Sequence, residues 1–147
     1  MYTTVQFIHS YWAYLVLLLV VIATINALLG LFLKKEYSAK DMRISLFALI
    51  VTHIQLLIGL IIFFVSPNAF KAIKASGMGE VMKNAELRLY AIEHPMIMII
   101  AVILITIGFS KHKKKTTSKA KFKTLTVFYT LALIFILSRI PWGQWFS

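Results

Sequence analysis

Four long apolar runs constrain this chain more than anything else in it: Tyr11 to Leu33, Ile44 to Val65, Leu89 to Phe109, and Leu125 to Leu137 with its flanks. A hydrocarbon core of about 30 Å takes roughly 20 helical residues, so the first three span a bilayer unaided. The fourth is expected to reach that length with Lys123 and Arg139 snorkelling at opposite interfaces. Lipid offers backbone groups no hydrogen-bond partner, so spans of this length are helices. The expected fold is all-α, a four-transmembrane-helix up-down bundle forming a single membrane domain over residues 1–147. Its expected helices are about 5–33, 42–66, 80–110 and 123–141.

Charge sets the orientation. Of 147 residues only five are acidic, and the formal charge is +11. The basic side chains gather in two connections: "KKEYSAKDMR", with Lys34, Lys35, Lys40 and Arg43, and "KHKKKTTSKAKFK", with seven lysines and no acid. The positive-inside rule puts both in the cytoplasm, leaving the N and C termini on the outer, periplasmic side of a bacterial inner membrane. A lysine tract between two spans is accounted for by topology and anionic lipid, at about 1 kcal/mol per residue, so nucleic acid is not an expected partner. The first run lacks a preceding lysine and a small-residue cleavage site, and is expected to stay as a helix.

Local signals refine the elements. Asp41 is the expected N-cap of the second span, and Pro67 and Asn68 stop it. The outer connection carries Phe70, Ile73, Val81 and Met82 among lysines and is expected to hold a short interfacial amphipathic helix, with "SGMG" (Ser76 to Gly79) as the turn before the third span. Pro95 is expected to kink that span close to His94. Trp142, Trp145 and Phe146, after Pro141, suit the headgroup level.

The absence of cysteine from the sequence removes disulfides, thiolate metal sites and iron–sulfur clusters. The sequence also lacks a glycine-rich phosphate loop and a Ser-His-Asp ordering, and four histidines without a second intramembrane carboxylate argue against a hydrolytic metal centre. Ionisable residues inside spans are functional candidates by default, here His9, His53, Glu93, His94 and Arg139. Depth sorts them: His9 lies roughly 5–8 Å from the outer end, His94 roughly 8–10 Å, and His53 about 18 Å, near the midplane. The first and third spans run in parallel and sit diagonally, so His9 and His94 are expected to face each other as a bis-axial pair for haem iron. Phe7, Trp12, Tyr90, Met96 and Met98 are the expected walls, Ala13, Ala23, Gly59 and Ala101 the small residues that leave room, and Arg88 and Arg139 the partners of the propionates.

Each has a plainer reading. His9 beside tyrosine and tryptophan is also a headgroup anchor, and His53 is a buried imidazole bonded to Gln55, a serine or a carbonyl as readily as part of a second site with a metal or quinone. Glu93, about 100° around the helix from His94, either relays protons within such a second site or reaches the interface. His112, in "SKHKKK", is expected to be a solvated loop residue.

"QFIHSYWAYLVLLLVV" resembles the helix of the heme A synthase family that begins with a Glu-aromatic-Ile-His-Arg type motif. "VTHIQLLIGLIIF" resembles the helix that follows it, and "IEHPMIMIIAVILITIG" the helix with the partner histidine. The chain is also similar to small single-bundle membrane proteins of Bacteroidota labelled "cytochrome B". The first resemblance implies one haem held between His9 and His94 in a four-helix half. Gln6 and Ser10 stand where that family has an acid and an arginine, and there is one bundle here rather than two, so the resemblance carries haem binding and not oxidation of a haem methyl group. The expected function is a b-type cytochrome for electron transfer or for haem or redox sensing, more an electron-transfer protein than an enzyme. Its candidate partners are membrane lipids, a quinol or redox partner subunit, and a second copy of the chain. The alternatives are a cofactor-free accessory or scaffold subunit, and an enzyme of haem or quinone metabolism with His53 and Glu93 handling protons.

Overall fold

The computed structural model describes residues 1–145, so Phe146 lies outside the described residues. The helices are α1 (Tyr2–Phe32), α2 (Ala39–Val65), α3 (Phe70–Lys83), α4 (Ala85–Arg88), a π-helical turn (Leu89–Glu93), α5 (His94–Lys113), α6 (Ser118–Arg139) and α7 (Trp142–Trp145). Four spans, α1, α2, the continuous Ala85–Lys113 segment and α6, are long and apolar enough to cross a membrane, as a multi-pass membrane protein requires. They form a ring in which α1 packs on α2 and α6, and α5 on α6 and more lightly on α2. Thus α1 and α5 stand on the diagonal.

Small side chains let the helices approach, which is how spans gain contact where lipid removes the hydrophobic drive between them. Val16, Val20, Ala23 and Ala27 form a stripe on α1, meeting Ala48 and Val51 of α2, Ala101 and Ile105 of α5, and Leu125, Tyr129 and Ala132 of α6. Large apolar residues point outward instead: Leu57 is 62% exposed, and Leu18, Ile103 and Ile134 are also exposed, presenting the face that lipid covers. At the connection-rich end the Tyr129 hydroxyl donates to the Ser45 carbonyl at 2.8 Å, and Asn26 Nδ2 donates to Asp41 Oδ1 at 2.9 Å.

The element ends differ from expectation where side chains find backbone partners. Ser38, not Asp41, is the N-cap of α2; Asp41 sits at N3 and its carboxylate accepts from the Ser38 amide at 2.8 Å. Thr117 caps α6 by accepting from the Ala120 amide at 3.1 Å, which starts this helix five residues before Lys123. With 22 residues it is about 33 Å long, and Lys119, Lys121 and Lys123 lie in its first turns and Arg139 at its end. The outer connection does contain a helix, α3, but "SGMG" is a kink inside it, with Gly77 at φ 83°, a left-handed value that glycine takes without penalty. The third span begins after it, where Asn84 Oδ1 accepts from the Glu86 and Leu87 amides at 3.0 and 3.1 Å.

Pro95 produces the expected irregularity as a π turn. It brings no N–H to bond the carbonyl four residues back, and the turn before it widens so that the His94 amide reaches Leu89 O instead. Gly108 marks the tightest approach of α5 to α6: a Cβ there would overlap Phe128 Cβ, which cannot move without its backbone. Gly108→Ala gains up to about 1 kcal/mol of helix propensity and loses about 1–3 kcal/mol to overpacking, so its thermal unfolding in detergent is expected below wild type.

Candidate functional site

A cavity of about 420 Å³ opens in the half of the bundle that holds the ends of α2 and α6 and the start of α5. α1 contributes His9, Ser10 and Ala13, α2 contributes Gln55 and Gly59, and the π turn with α5 contributes Tyr90, His94, Met96 and Met98. The His9 and His94 rings face each other with centroids 6.1 Å apart and planes at 78°. The diagonal placement of their helices and the matching depth of the two residues bring them together.

Each imidazole is held differently. His94 Nδ1 lies 2.8 Å from the Arg139 carbonyl, which only accepts, so Nδ1 carries the proton and Nε2 keeps its lone pair. His9 Nδ1 is buried without a hydrogen-bond partner, and so is Gln55 Oε1, although Gln55 Nε2 donates to the His9 carbonyl at 2.9 Å. Gly59, one turn on from Gln55, keeps the wall open: a Cβ there would stand 3.6 Å from His9 Cε1. Gln55 is the site residue that sequence reasoning left out of the cavity, and an amide four residues before a glycine on one face of a span was its signal.

The remaining expected site residues are distributed around this pair. Tyr90, Met96 and Met98 line the cavity, as do Ala13, Gly59 and Ala101, while Ala23 belongs to the bundle core. Phe7 is exposed and packs on Tyr11 at 4.4 Å, and Trp12 packs on the core with Nε1 donating to Val51 O at 2.9 Å; neither lines the cavity. Arg88 and Arg139 converge on Glu93, with their Nε atoms 3.2 and 3.8 Å from its carboxylate oxygens, and Arg88 Nη1 also donates to Met82 O at 2.7 Å. Glu93 therefore joins two guanidiniums next to the residue that holds His94.

His53 is not buried and does not bond Gln55. It is exposed on the outside of the bundle, where Nε2 meets Thr106 Oγ1 at 2.8 Å. Thr106 is 13 residues beyond Glu93, about 20 Å along the helix, so His53 and Glu93 do not share a site.

His112 is fully buried rather than solvated. Its Nδ1 donates to the Phe109 carbonyl, which leaves Nε2 to accept from the Tyr37 hydroxyl at 2.7 Å. The Tyr37 amide donates to Ser118 Oγ at 2.8 Å and Lys121 Nζ stands 5.2 Å from the Tyr37 ring, so this cluster ties the α1–α2 connection to α5 and α6. Burial pushes the Tyr37 phenol up to about 12, with the Asp41 charge adding to the rise and the Ser45 hydroxyl opposing it. The phenol thus stays a donor across the physiological range.

Compared with known proteins, the chain matches no family model, no curated protein and no solved structure.

Tyr37→Phe leaves His112 Nε2 without its donor in a buried setting. Unfolding in detergent is expected to show a loss of about 1–2 kcal/mol, with the His9–His94 cavity at the other end of the bundle unaffected.

Proposed function

We propose that this protein binds one b-type haem between His9 and His94 and transfers single electrons within the membrane. The observation that carries the reading is the separation of the two rings across the cavity. The rings here are 6.1 Å apart.

The donor set supports the same group. Among the described residues no cluster of three or more histidine or acidic side chains could hold a bare ion. A porphyrin supplies the equatorial nitrogens itself and asks the protein for two axial ligands. The Arg139 carbonyl fixes His94 in the tautomer with a free Nε2, as a carbonyl on the other ring nitrogen does for a ligating histidine. Arg88 and Arg139 are paired with Glu93 and do not line the cavity; the three together carry one net positive charge, with which a propionate at the rim would pair.

When bound, such a group supplies a one-electron couple whose potential follows its axial ligands and surroundings. The chain's part is to hold both imidazoles neutral and oriented, and to keep the cavity apolar with Ala13, Gly59, Met98 and Ile140. A haem held by both His9 and His94 would supply outer-sphere electron transfer. The lysine-rich connections between α1 and α2 and between α5 and α6 belong in the cytoplasm by the positive-inside rule. On that topology the cavity, both termini and α3 face the periplasmic side of a bacterial inner membrane.

The accessory-subunit reading gives the buried, unpartnered His9 Nδ1 no ligand. Reduced-minus-oxidised spectra of protein purified in mild detergent and supplied with haem are expected to show an α-band at about 560 nm. His9→Ala and His94→Ala are each expected to abolish or convert the low-spin signal, and His53→Ala to keep it. A wild-type spectrum without the band sinks the proposal.

A further inference from the structure

Glu93 and His94 are neighbours on the chain, the last residue of the π turn and the first of α5, and both hold the same residue of another helix. His94 Nδ1 donates to the Arg139 carbonyl at 2.8 Å, and Glu93 Oε1 lies 3.8 Å from Arg139 Nε. The other carboxylate oxygen accepts from Arg88 Nε at 3.2 Å, and Arg88 Nη1 donates in turn to the Met82 carbonyl of α3 at 2.7 Å. The same part of α3 packs on the π turn, where Val81 and Ala91 are buried in one cluster. Both oxygens of Glu93 are therefore engaged by guanidiniums, and the carboxylate is anchored from the α3 side where it meets Arg139.

Arg139 is where such an anchor matters. It is the last residue of α6, and the last carbonyls of a helix have no amide of their own helix to bond. Their direction is set by what they meet outside it. Ile140 already has extended backbone, with ψ 134°, and Pro141 follows without an N–H. The Arg139 carbonyl bonds His94 and its guanidinium reaches Glu93, so one residue is held at two points by two adjacent residues of the neighbouring segment. Exposed ion pairs add little stability, and Glu93 and Arg139 are 31% and 43% exposed, so this contact directs the carbonyl more than it stabilises the bundle.

We propose that Glu93 is the positioning residue of His94. Acting through Arg139, it keeps the carbonyl on Nδ1, so that Nδ1 carries the proton and Nε2 keeps its lone pair. His9 has no counterpart, since its Nδ1 is buried without a partner; of the two imidazoles, His94 is the one whose proton is placed by a hydrogen bond. The His94 tautomer is a property of the protein alone, and only its use as an iron ligand rests on the haem reading.

Full-length protein in nanodiscs, without haem, carries nitrogen-15 histidine and is measured at a pH at which its four histidines are neutral. The ring nitrogen shifts then report which nitrogen of each imidazole is protonated. Wild type is expected to show His94 with the proton on Nδ1. Glu93→Ala and Arg139→Met are each expected to lower the ratio of that tautomer to the Nε2–H form about three- to tenfold, the range spanned by loosening one hydrogen bond. Arg139→Met keeps the peptide carbonyl, so it tests the direction of the acceptor and not its presence. The double variant is expected to add nothing further, because the two residues act as one unit. Glu93→Gln, which keeps an oxygen for Arg139, is expected to recover most of the wild-type ratio. His112, whose Nδ1 bonds the Phe109 carbonyl within its own helix, is expected to stay as it is.

An unchanged His94 ratio in Glu93→Ala or Arg139→Met overturns the proposal and assigns the carbonyl's direction to the burial of Ile140 beside it. A shift of His112 together with His94 overturns it too, because general loosening of the bundle then accounts for both. The haem reading fails separately: a wild-type chain without the α-band whose His94 tautomer still follows Glu93 loses that reading and keeps this one.

Discussion

Lipid cannot hydrogen-bond, so each polar group in these spans must find its partner within the protein. Most do so inside their own helix: Thr24, Thr52, Thr106 and Thr124 all donate to a carbonyl three or four residues back. The groups that cannot do this make the bonds that join helices. Trp12 reaches Val51, Tyr129 reaches Ser45, Asn26 reaches Asp41 and Tyr37 reaches His112, and together they fix α1, α2, α5 and α6 in one arrangement around a core of small residues. Four buried side-chain atoms among the described residues remain without partners, and two of them, His9 Nδ1 and Gln55 Oε1, belong to residues that line the cavity. Satisfaction elsewhere is what makes that pair informative.

The cavity itself follows from two local departures from regular packing. Pro95 forces the π turn of Leu89–Glu93, which re-aims the helix immediately before His94 and lets its Nδ1 meet the carbonyl at the end of α6. Gly59 and Ala13 then withhold the side-chain volume that would fill the space between α1 and α2. At the opposite end the same small-residue device has the reverse effect. Gly30 lies flat against the Phe122 ring and Gly108 against Phe128, closing α6 onto its neighbours and leaving room only for the buried His112 cluster. One bundle is thus tight where the lysines are and open where the paired imidazoles are.

Its lightly packed side matters as well. α2 and α5 are joined through the long α3–α4 excursion, whereas α1 and α2, and α5 and α6, are joined by connections of a few residues. The groove beside His53 runs along this lightly packed α2–α5 pair. The charged cluster of Arg88, Glu93 and Arg139 bridges the π turn to the end of α6. It steadies the side of the cavity that holds His94.

Run length, the uncapped apolar stretches and the two lysine-rich connections determined by themselves that there are four spans and which connections share a side, because a bilayer sorts residues by hydropathy and charge alone. Depth counted along the helices was enough to pair His9 with His94, since helical rise is fixed. The caps at Ser38 and Thr117 were misplaced or missed because several serines, threonines and acids near a helix start compete, and only the final backbone path selects one. Rotation about each helix axis was decided by tertiary packing. It turned Trp12 to the core and Phe7 outward, buried His112 in a lysine tract that reads as solvated, and set His53 against Thr106 on the outer face. In spans that are apolar all round, the sequence period carries little rotational information, and contacts between neighbouring helices supply it.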